Sequence, residues 1–393
     1  MSAVPETAGG PGTSGPVPPS SPSPVSGARH RETDAETALD LEAILHEAVK
    51  RQASDVIISA GSPVALMVHG RLVYPDPEHR LRPEETRRLA YALLSDADRE
   101  RFEQDLDSDV SFELFDVARF RVNVFKQRGS VSVVLRLVPL EIPSYREIGV
   151  SDGLIERLLQ VPHGLVLVTG PTGSGKSTTV ASFLEYLNTH PQHATHIVTI
   201  EDPIEFRMRS KHCVIDQRAV GVDTRDFKTG LRAALRQMAP VLFVGEMRDR
   251  ETIEIALTAA ETGNLVISTL HTQSAAKTIN RIIDVFPLSD QEEIRTRLAL
   301  TLRCVISQVL LPRVDRPGRV AAREVLFVTG SVANLIRENK VHMINNVIAS
   351  GQQDGMCLLD DALIALYREG AIGLEEMLPR LQDRDRAQRL LDL

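Results

Sequence analysis

The stretch Gly164-Leu165-Val166-Leu167-Val168-Thr169-Gly170-Pro171-Thr172-Gly173-Ser174-Gly175-Lys176-Ser177-Thr178-Thr179 decides the fold. Leu165 to Val168 form an apolar run of buried-strand type. A glycine-rich turn follows and ends in Lys-Ser-Thr, where helix-compatible sequence begins. Gly170 to Ser177 is the pattern G-x-x-x-x-G-K-[ST], a phosphate-binding loop, in the strand-then-helix context that makes it specific. Glycines at 170, 173 and 175 let the backbone turn its N–H groups inward at a helix N-terminus. Gly170, Pro171, Thr172, Gly173, Ser174, Gly175, Lys176, Ser177 and Thr178 are therefore the expected phosphate ligands. Lys176 is expected to reach β- and γ-phosphates, and the Ser177 hydroxyl to ligate Mg²⁺. The competing reading, a glycine-rich turn with an incidental lysine, does not account for the strand and helix signals on either side.

Around this loop the chain has 393 residues, enough for two or three domains with a proper core. A formal charge of −8, with 4% aromatic residues and no tryptophan, argues against a nucleic-acid-binding surface. Cys213, Cys304 and Cys357 are far apart and form no C-x-x-C pair, so neither a zinc site nor a disulfide framework is expected. No apolar stretch approaches the ~20 residues that span a bilayer, and the N-terminus does not read as a signal peptide. The expectation is a cytoplasmic protein that meets a membrane only through partners.

Residues 1–36 are dominated by Pro, Gly, Ser and Ala and read as a disordered tail, an inert extension rather than a docking tail. Helical periodicity begins at Leu41, with Leu41, Ile44, Leu45, Ala48 and Val49 on one face and Asp40 as cap. Strands are expected at 55–59 and 64–68, followed by the turn His69-Gly70-Arg71. A helix over about 84–94 should carry Leu89, Ala92 and Leu93 inward. Alternating strands then fall at 110–114, 119–125 and 131–138, with a hairpin at Gln127-Arg128-Gly129-Ser130. Phe120, Val122 and Val124 share one face; Arg119, Arg121 and Asn123 share the other, read on residues alone as solvated surface. This is a small α+β domain, residues 37–140, with a Pro-punctuated linker over 141–151. Residues 152–393 alternate strand and helix: strands at 165–168, 196–200, 241–245 and 265–269, helices near 177–188, 226–237, 250–262, 274–284 and 289–304. That alternation predicts an α/β domain with a mostly parallel sheet and ligands at the strands' carboxyl ends. From Val332 onward the pattern is helical and suggests a small cap.

Three further strand ends carry polar chemistry. His196 to Ile200 runs into Glu201-Asp202-Pro203-Ile204-Glu205-Phe206, which places carboxylates where they can hold Mg²⁺ or its waters, or polarise an attacking water. Val241 to Val244 ends in Gly245-Glu246, the Walker B position with glycine in place of the usual aspartate, so Glu246 alone is left to act on water or metal. Val266 to Leu270 ends in His271, placed to sense a γ-phosphate. Each alone is as consistent with a cap or a core residue. Together with a phosphate loop in the same domain they read as one hydrolytic site.

GPTGSGKSTT, TIEDPIEF, GEMRD with LTAAETG, and STLHT…INRIID…FP resemble the Walker A, Asp box, Walker B and His box of secretion and type IV pilus ATPases, most closely the PilT-type retraction branch. The resemblance runs from about residue 41 to the C-terminus. It implies ATP and Mg²⁺ as cofactors, a PAS-like N-terminal domain, a RecA-like P-loop C-terminal domain, and a ring-shaped homohexamer powering pilus retraction and twitching motility. An inner-membrane platform protein is the implied partner, without nucleic acid. N-domain arginines of that family reach the nucleotide, which carries over to Arg121 and Arg136. The zinc insert of the extension and type II secretion relatives has no counterpart here. Three positions depart from the family: Asn264 where E-T-G-H has histidine, Met238-Ala239-Pro240 where Asp-Pro-Asp is usual, and Ala333 where A-I-R-N-L-I-R has its first arginine. Ala333 and the end through Asp383-Arg384-Asp385 also resemble the accessory PilU-type branch, which works beside a second retraction ATPase. A nucleotide-binding regulatory ring subunit is the remaining alternative, weighed against by Lys176, Ser177, Glu201 and Glu246.

Overall fold

The computed structural model describes residues 40–68, 71–114, 117–138 and 141–383. The tail 1–36, the His69-Gly70 turn, Pro139-Leu140 and the Arg384-Asp385 ending lie outside the described residues.

The first half is an antiparallel sheet with three helices. Helix α1 (Leu41–Lys50) starts where the Asp40 carboxylate accepts from the Glu42 N–H at 3.1 Å, and it buries Leu41, Leu45 and Ala48. Then come β1 (Ala53–Ile58), β2 (Ala65–Val68), β3 (Arg71–Val73), α2 (Pro83–Ala92), α3 (Asp96–Asp105), β4 (Asp107–Leu114), β5 (Ala118–Gln127) and β6 (Ser130–Val138). Strand order is β3-β2-β1-β6-β5-β4. Gln127 pairs with Ser130 across a two-residue turn, and both turn residues have positive φ, Arg128 at 48° and Gly129 at 80°. That is the turn geometry whose twist matches a hairpin. Phe120, Val122 and Val124 are fully buried, as alternation requires, in a core separate from that of the second half.

Two elements here differ from expectation. Helix α3 went unforeseen because Asp-Ala-Asp-Arg-Glu-Arg-Phe-Glu-Gln-Asp has no apolar stripe; Phe102 is its one buried residue, and Ser95 caps it. Strand β3 is three residues long and mostly exposed, too short to show alternation. In α2, Ala90 rather than Ala92 faces inward beside Leu89.

The second half comprises α4 (Asp152–Leu159), β7 (Gly164–Thr169), α5 (Lys176–Thr189), β8 (His196–Glu201), β9 (Val214–Ala219), α6 (Phe227–Ala234), β10 (Val241–Val244), α7 (Arg250–Glu261), β11 (Leu265–Leu270), α8 (Ala275–Asp284), α9 (Gln291–Thr301), β12 (Leu302–Pro312), β13 (Arg319–Phe327), α10 (Gly330–Arg337), α11 (Ile344–Ser350), α12 (Leu359–Arg368) and α13 (Leu374–Met377). The sheet runs β13-β12-β7-β11-β10-β8-β9, parallel at every pair except β12–β13. The fold is thus α/β with a mostly parallel sheet, as expected. Strands β9, β12 and β13 were not anticipated. The first is an edge strand, half of it polar and none of it fully buried. In β12 the apolar run follows α9 without a break, so the helix expected to reach 304 stops at Thr301 and the chain extends from Leu302. Helices α10 to α13 form the anticipated helical ending, and α12 and α13 bury Leu359, Leu363, Ile364 and Met377 against the β12–β13 pair in a satellite core.

The 141–151 stretch is packed rather than loose. Tyr145 and Ile148 lie against the large core, Val150 belongs to it, and Tyr145 meets Tyr186 of α5 edge-on at 5.2 Å between ring centroids. Contact between the halves also includes Arg207, whose Nη1 lies 2.9 Å from a Glu113 carboxylate oxygen of β4.

Phe120→Ala should lower unfolding stability by about 3–5 kcal/mol, because it opens a large cavity in a core with no other aromatic at that depth on β5. Urea denaturation followed by circular dichroism measures it; a loss under about 1 kcal/mol would mean Phe120 is not a tightly packed member of this core.

Candidate nucleotide-binding and hydrolytic site

Parallel register sets the stage. Strands β7, β11, β10 and β8 are consecutive neighbours, so the phosphate loop, His271, Gly245-Glu246 and Glu201 emerge in a row at the same edge of the sheet.

The loop after β7 has the backbone its sequence demands. Gly170, Gly173 and Gly175 sit at φ of 147°, 78° and 85°, a region that disfavours side chains. A Cβ on Gly170 would lie 2.3 Å from the Gln308 carbonyl oxygen and 2.6 Å from Ser174 Oγ. Behind the loop, Gln308 of β12 donates from Nε2 to the Ser174 carbonyl at 2.6 Å and accepts from Thr179 Oγ1 at 3.0 Å. Nothing in the spacing of the sequence identifies Gln308 as a loop support.

Lys176 is folded onto its own loop. Its Nζ donates to the carbonyls of Gly170 and Pro171 at 2.9 and 3.2 Å. Burial pushes its pKa down, while the carboxylates of Glu246 and Glu205 pull it back up. Carbonyls are neutral acceptors, so an anion of two or more charges entering the loop is a better partner for this ammonium. Ser174 Oγ is buried with no hydrogen-bond partner. A glycine-rich turn at a helix N-terminus, an orphaned hydroxyl and a desolvated cation held only by neutral carbonyls all fit a polyphosphate.

Facing the loop is a chain of polar contacts. Thr172 Oγ1 lies 3.5 Å from His271 Nδ1, and His271 Nε2 lies 3.4 Å from Glu246 Oε2. Arg248 Nη2 is 2.7 Å from the same carboxylate oxygen. Burial alone would raise the Glu246 carboxyl, but Arg248 and His271 outweigh it and hold the group below the ordinary range, ionised at neutral pH. Such a carboxylate can accept a proton from water beside the phosphate position. Arg248 lies inside GEMRD, where the sequence pattern alone gives it no role. Gly245 has a physical reason: a Cβ there would stand 3.2 Å from the Ile200 carbonyl oxygen and 3.4 Å from the Phe227 ring.

Glu201 is placed differently. Strands lie about 4.8 Å apart, so β8 is about 14 Å from β7, and the Glu201 carboxylate is engaged by its own neighbours. Its Oε1 accepts from Thr199 Oγ1 at 2.7 Å and from Gln217 Nε2 at 3.1 Å. Burial pushes its pKa up against those two hydrogen bonds. Of the three acids in this segment, Glu205 rather than Glu201 acts electrostatically on Lys176. Ser177 is the second residue of α5, beside the loop, with an oxygen ligand suited to Mg²⁺, which is held largely by phosphates and water rather than by a protein cage.

Arg121 and Arg136 are direct cross-strand partners on β5 and β6. Arg136 Nε pairs with Asp55 at 2.9 Å, and among the described residues neither arginine contacts the 170–178 loop. Within one chain the structure therefore unites Thr172, Lys176, Glu246, Arg248 and His271, and leaves Glu201, Arg121 and Arg136 outside that cluster.

Two of the sequence departures meet at the other edge of the sheet. Asn264 Nδ2 donates to the Ala239 carbonyl at 2.8 Å, and the Leu265 N–H donates to the Pro240 carbonyl at 2.8 Å. Asn264 precedes β11, whose rise of about 3.3 Å per residue puts it about 20 Å from the loop. Asn264→Ala should cost about 1 kcal/mol of stability, one part-buried hydrogen bond, and Asn264→His should leave nucleotide affinity unchanged. Calorimetric titration with ATP measures the second; a change beyond about tenfold, ~1.4 kcal/mol, would tie this edge to the nucleotide.

Comparison with known proteins identifies the family. The family model "Type II/IV secretion system protein" matches residues 30–355. The type IV pilus retractation ATPase PilT of Pseudomonas aeruginosa is 46% identical over 340 residues, covering 86% of this chain and 96% of that protein. The type IV pilus ATPase PilU of the same organism is 36% identical over 340 residues, covering 86% and 88%. A crystal structure of the pilus retraction motor PilT with bound ADP superposes with a TM-score of 0.83 at 44% identity, covering 89% of this chain and 99% of that one. With a phosphate loop, a strand-end acid and a strand-end histidine in one contact chain, this protein belongs to the Type II/IV secretion system protein family.

Proposed function

We propose that this chain is a P-loop ATPase that hydrolyses ATP to ADP and phosphate and uses the energy to retract type IV pili. The observation that carries it is the run Thr172–His271–Glu246–Arg248, which sets an ionised carboxylate and a histidine beside the loop and Lys176. The 46% identity to a protein named as a pilus retractation ATPase supports the physiological role.

In this reading Lys176 exchanges its carbonyl partners for the β- and γ-phosphates, and the loop N–H groups hold the remaining oxygens. Ser177 would hold Mg²⁺, which would supply neutralisation of phosphate charge, while Glu201, engaged by Thr199 and Gln217, stays outside that shell. Glu246 takes the proton of the attacking water. His271, hydrogen-bonded to both Glu246 and Thr172, orients that carboxylate and registers the γ-phosphate. Arg121 and Arg136 approach only when the α+β half (37–140) closes on an ATPase domain (152–393), turning about the 141–151 segment. That requirement fits a homohexameric ring in which one subunit completes its neighbour's site. The ring would work in the cytoplasm against an inner-membrane platform protein; among the described residues no helix is long and apolar enough to cross a membrane.

One observation favours a second reading, an accessory motor acting beside another retraction ATPase. Ala333 packs its methyl group on the core from α10, where an arginine could offer a bidentate contact.

Deleting the gene should raise surface pilus number and abolish surface motility, and wild type but not Lys176→Ala should restore both. Normal pili and motility in the deletion strain would contradict the retraction role. Supplied alone in a strain lacking every retraction ATPase, the chain should restore motility if it is the principal motor; rescue only with a second ATPase would identify the accessory one. Arg121→Ala and Arg136→Ala should each cut turnover of the assembled protein by about tenfold or more, with ATP affinity shifted far less. Equal loss of turnover and binding, or no loss, would return those arginines to solvated surface.

A further inference from the structure

We propose that Arg323 is a positioning residue that ties the phosphate loop to the segment joining the two halves of the chain, so that loop closure on nucleotide displaces that segment. The inference rests on the ATPase reading above.

Arg323 lies on β13, 8% exposed and outside the hydrolytic cluster. A guanidinium this deep normally pairs with a carboxylate. Among the described residues no ion pair forms with it. Its Nη2 donates to the Ile148 carbonyl at 2.7 Å, its Nη1 to the Gly149 carbonyl at 3.1 Å, and its buried Nε has no partner. Desolvation brings its pKa down to about 10, so the charge is kept at neutral pH but at a cost. An apolar side chain of similar length would avoid that cost and still fill the space. What it could not do is grip two successive carbonyls of the chain where it turns through Gly149 (φ 73°).

The residue directly across from Arg323 is Gln308. Opposed residues of an antiparallel pair project from one face with Cβ atoms about 5 Å apart. On that face Gln308 holds the phosphate loop through the Ser174 carbonyl and the following helix through Thr179, while its own carbonyl oxygen walls Gly170. One side chain of the pair therefore holds the loop, and its neighbour holds residues 148 and 149. A second tie runs in parallel, the edge-on contact of Tyr145 with Tyr186 on the helix that the loop begins. Between the two ties the segment is braced, since Tyr145 Oη and Arg146 Nε both donate to Asp152 Oδ1, at 2.6 and 2.9 Å. A braced segment transmits displacement where a slack one would absorb it. Its other end leads to β6, which carries Arg136 opposite Arg121. Loop closure and arginine approach thus have a physical connection within one chain.

The test uses the full-length chain with dyes on Glu84→Cys in α2 and Glu254→Cys in α7, both exposed positions, after Cys357→Ser, with labelled subunits diluted into unlabelled ones. Energy transfer is recorded without nucleotide and with ATP, alongside ATP affinity, kcat and thermal stability. The expected result is a nucleotide-dependent change in wild type that Arg323→Met removes, with kcat falling about tenfold and ATP affinity within about twofold. Arg323→Lys should recover part of the change, since an ammonium is a point charge without the planar fork that meets both carbonyls. The inference is overturned if Arg323→Met keeps the full change, or if affinity and thermal stability fall together with it, as a merely structural role requires. Should Arg323→Met not fold, Arg323→Lys decides: a full change at wild-type kcat overturns the proposal, a partial one supports it. Failure of wild type to bind ATP would overturn the ATPase reading itself; ATP binding with no change in transfer would overturn this inference alone.

Discussion

The approach of Gly170 to the Gln308 carbonyl, so close that a methyl group would sit 2.3 Å from it, is the constraint on which the site depends. The phosphate loop does not shape itself. It is closed from behind by β12, which pairs with β7 in parallel and supplies both the wall at Gly170 and the hydrogen bonds to Ser174 and Thr179. On the other side of β7, β11 brings His271 level with Thr172. Two neighbouring strands therefore fix the loop from opposite sides. A third, β10, supplies the carboxylate that completes the contact chain.

This arrangement leaves the site charged and incomplete without ligand. Lys176 rests on two carbonyls, Ser174 Oγ has no partner, and Glu246 is occupied by Arg248 and His271. A polyphosphate improves on the two neutral carbonyls that hold Lys176, so binding energy is available to pull Lys176 outward and close the loop. The β12–β13 pair that walls the loop also carries Arg323, so the hold on the loop and the grip on residues 148–149 lie on adjacent side chains.

Much of this was legible in the sequence, for identifiable reasons. Buried parallel strands read as short apolar runs ending in functional residues, so Leu165–Val168, His196–Ile200, Val241–Val244 and Val266–Leu270 stood out, and with them Lys176, Glu246 and His271. Elements without a periodic apolar face did not: α3 buries one residue, β9 is a half-polar edge, and β12 continues a helical run without punctuation. Gln308 was invisible because its role depends on strand order, which no local pattern encodes. Glu201 was legible as a strand-end acid but not as one turned toward Thr199 and Gln217, since that depends on its place three strands from the loop. The Asn264 and Pro240 departures could not be weighed until both appeared at the far edge, beside each other.

The central claim is that Glu246 acts on water while the loop holds the phosphates, so the two jobs should separate cleanly. Glu246→Gln keeps the shape of the side chain and removes the charge. Measured by ATP titration and single-turnover hydrolysis on the assembled protein, the account predicts ATP binding within about threefold of wild type and turnover reduced by about a hundredfold or more, ~2.7 kcal/mol on the barrier. Turnover within about tenfold of wild type would contradict it and move the catalytic role to another acid at this edge of the sheet.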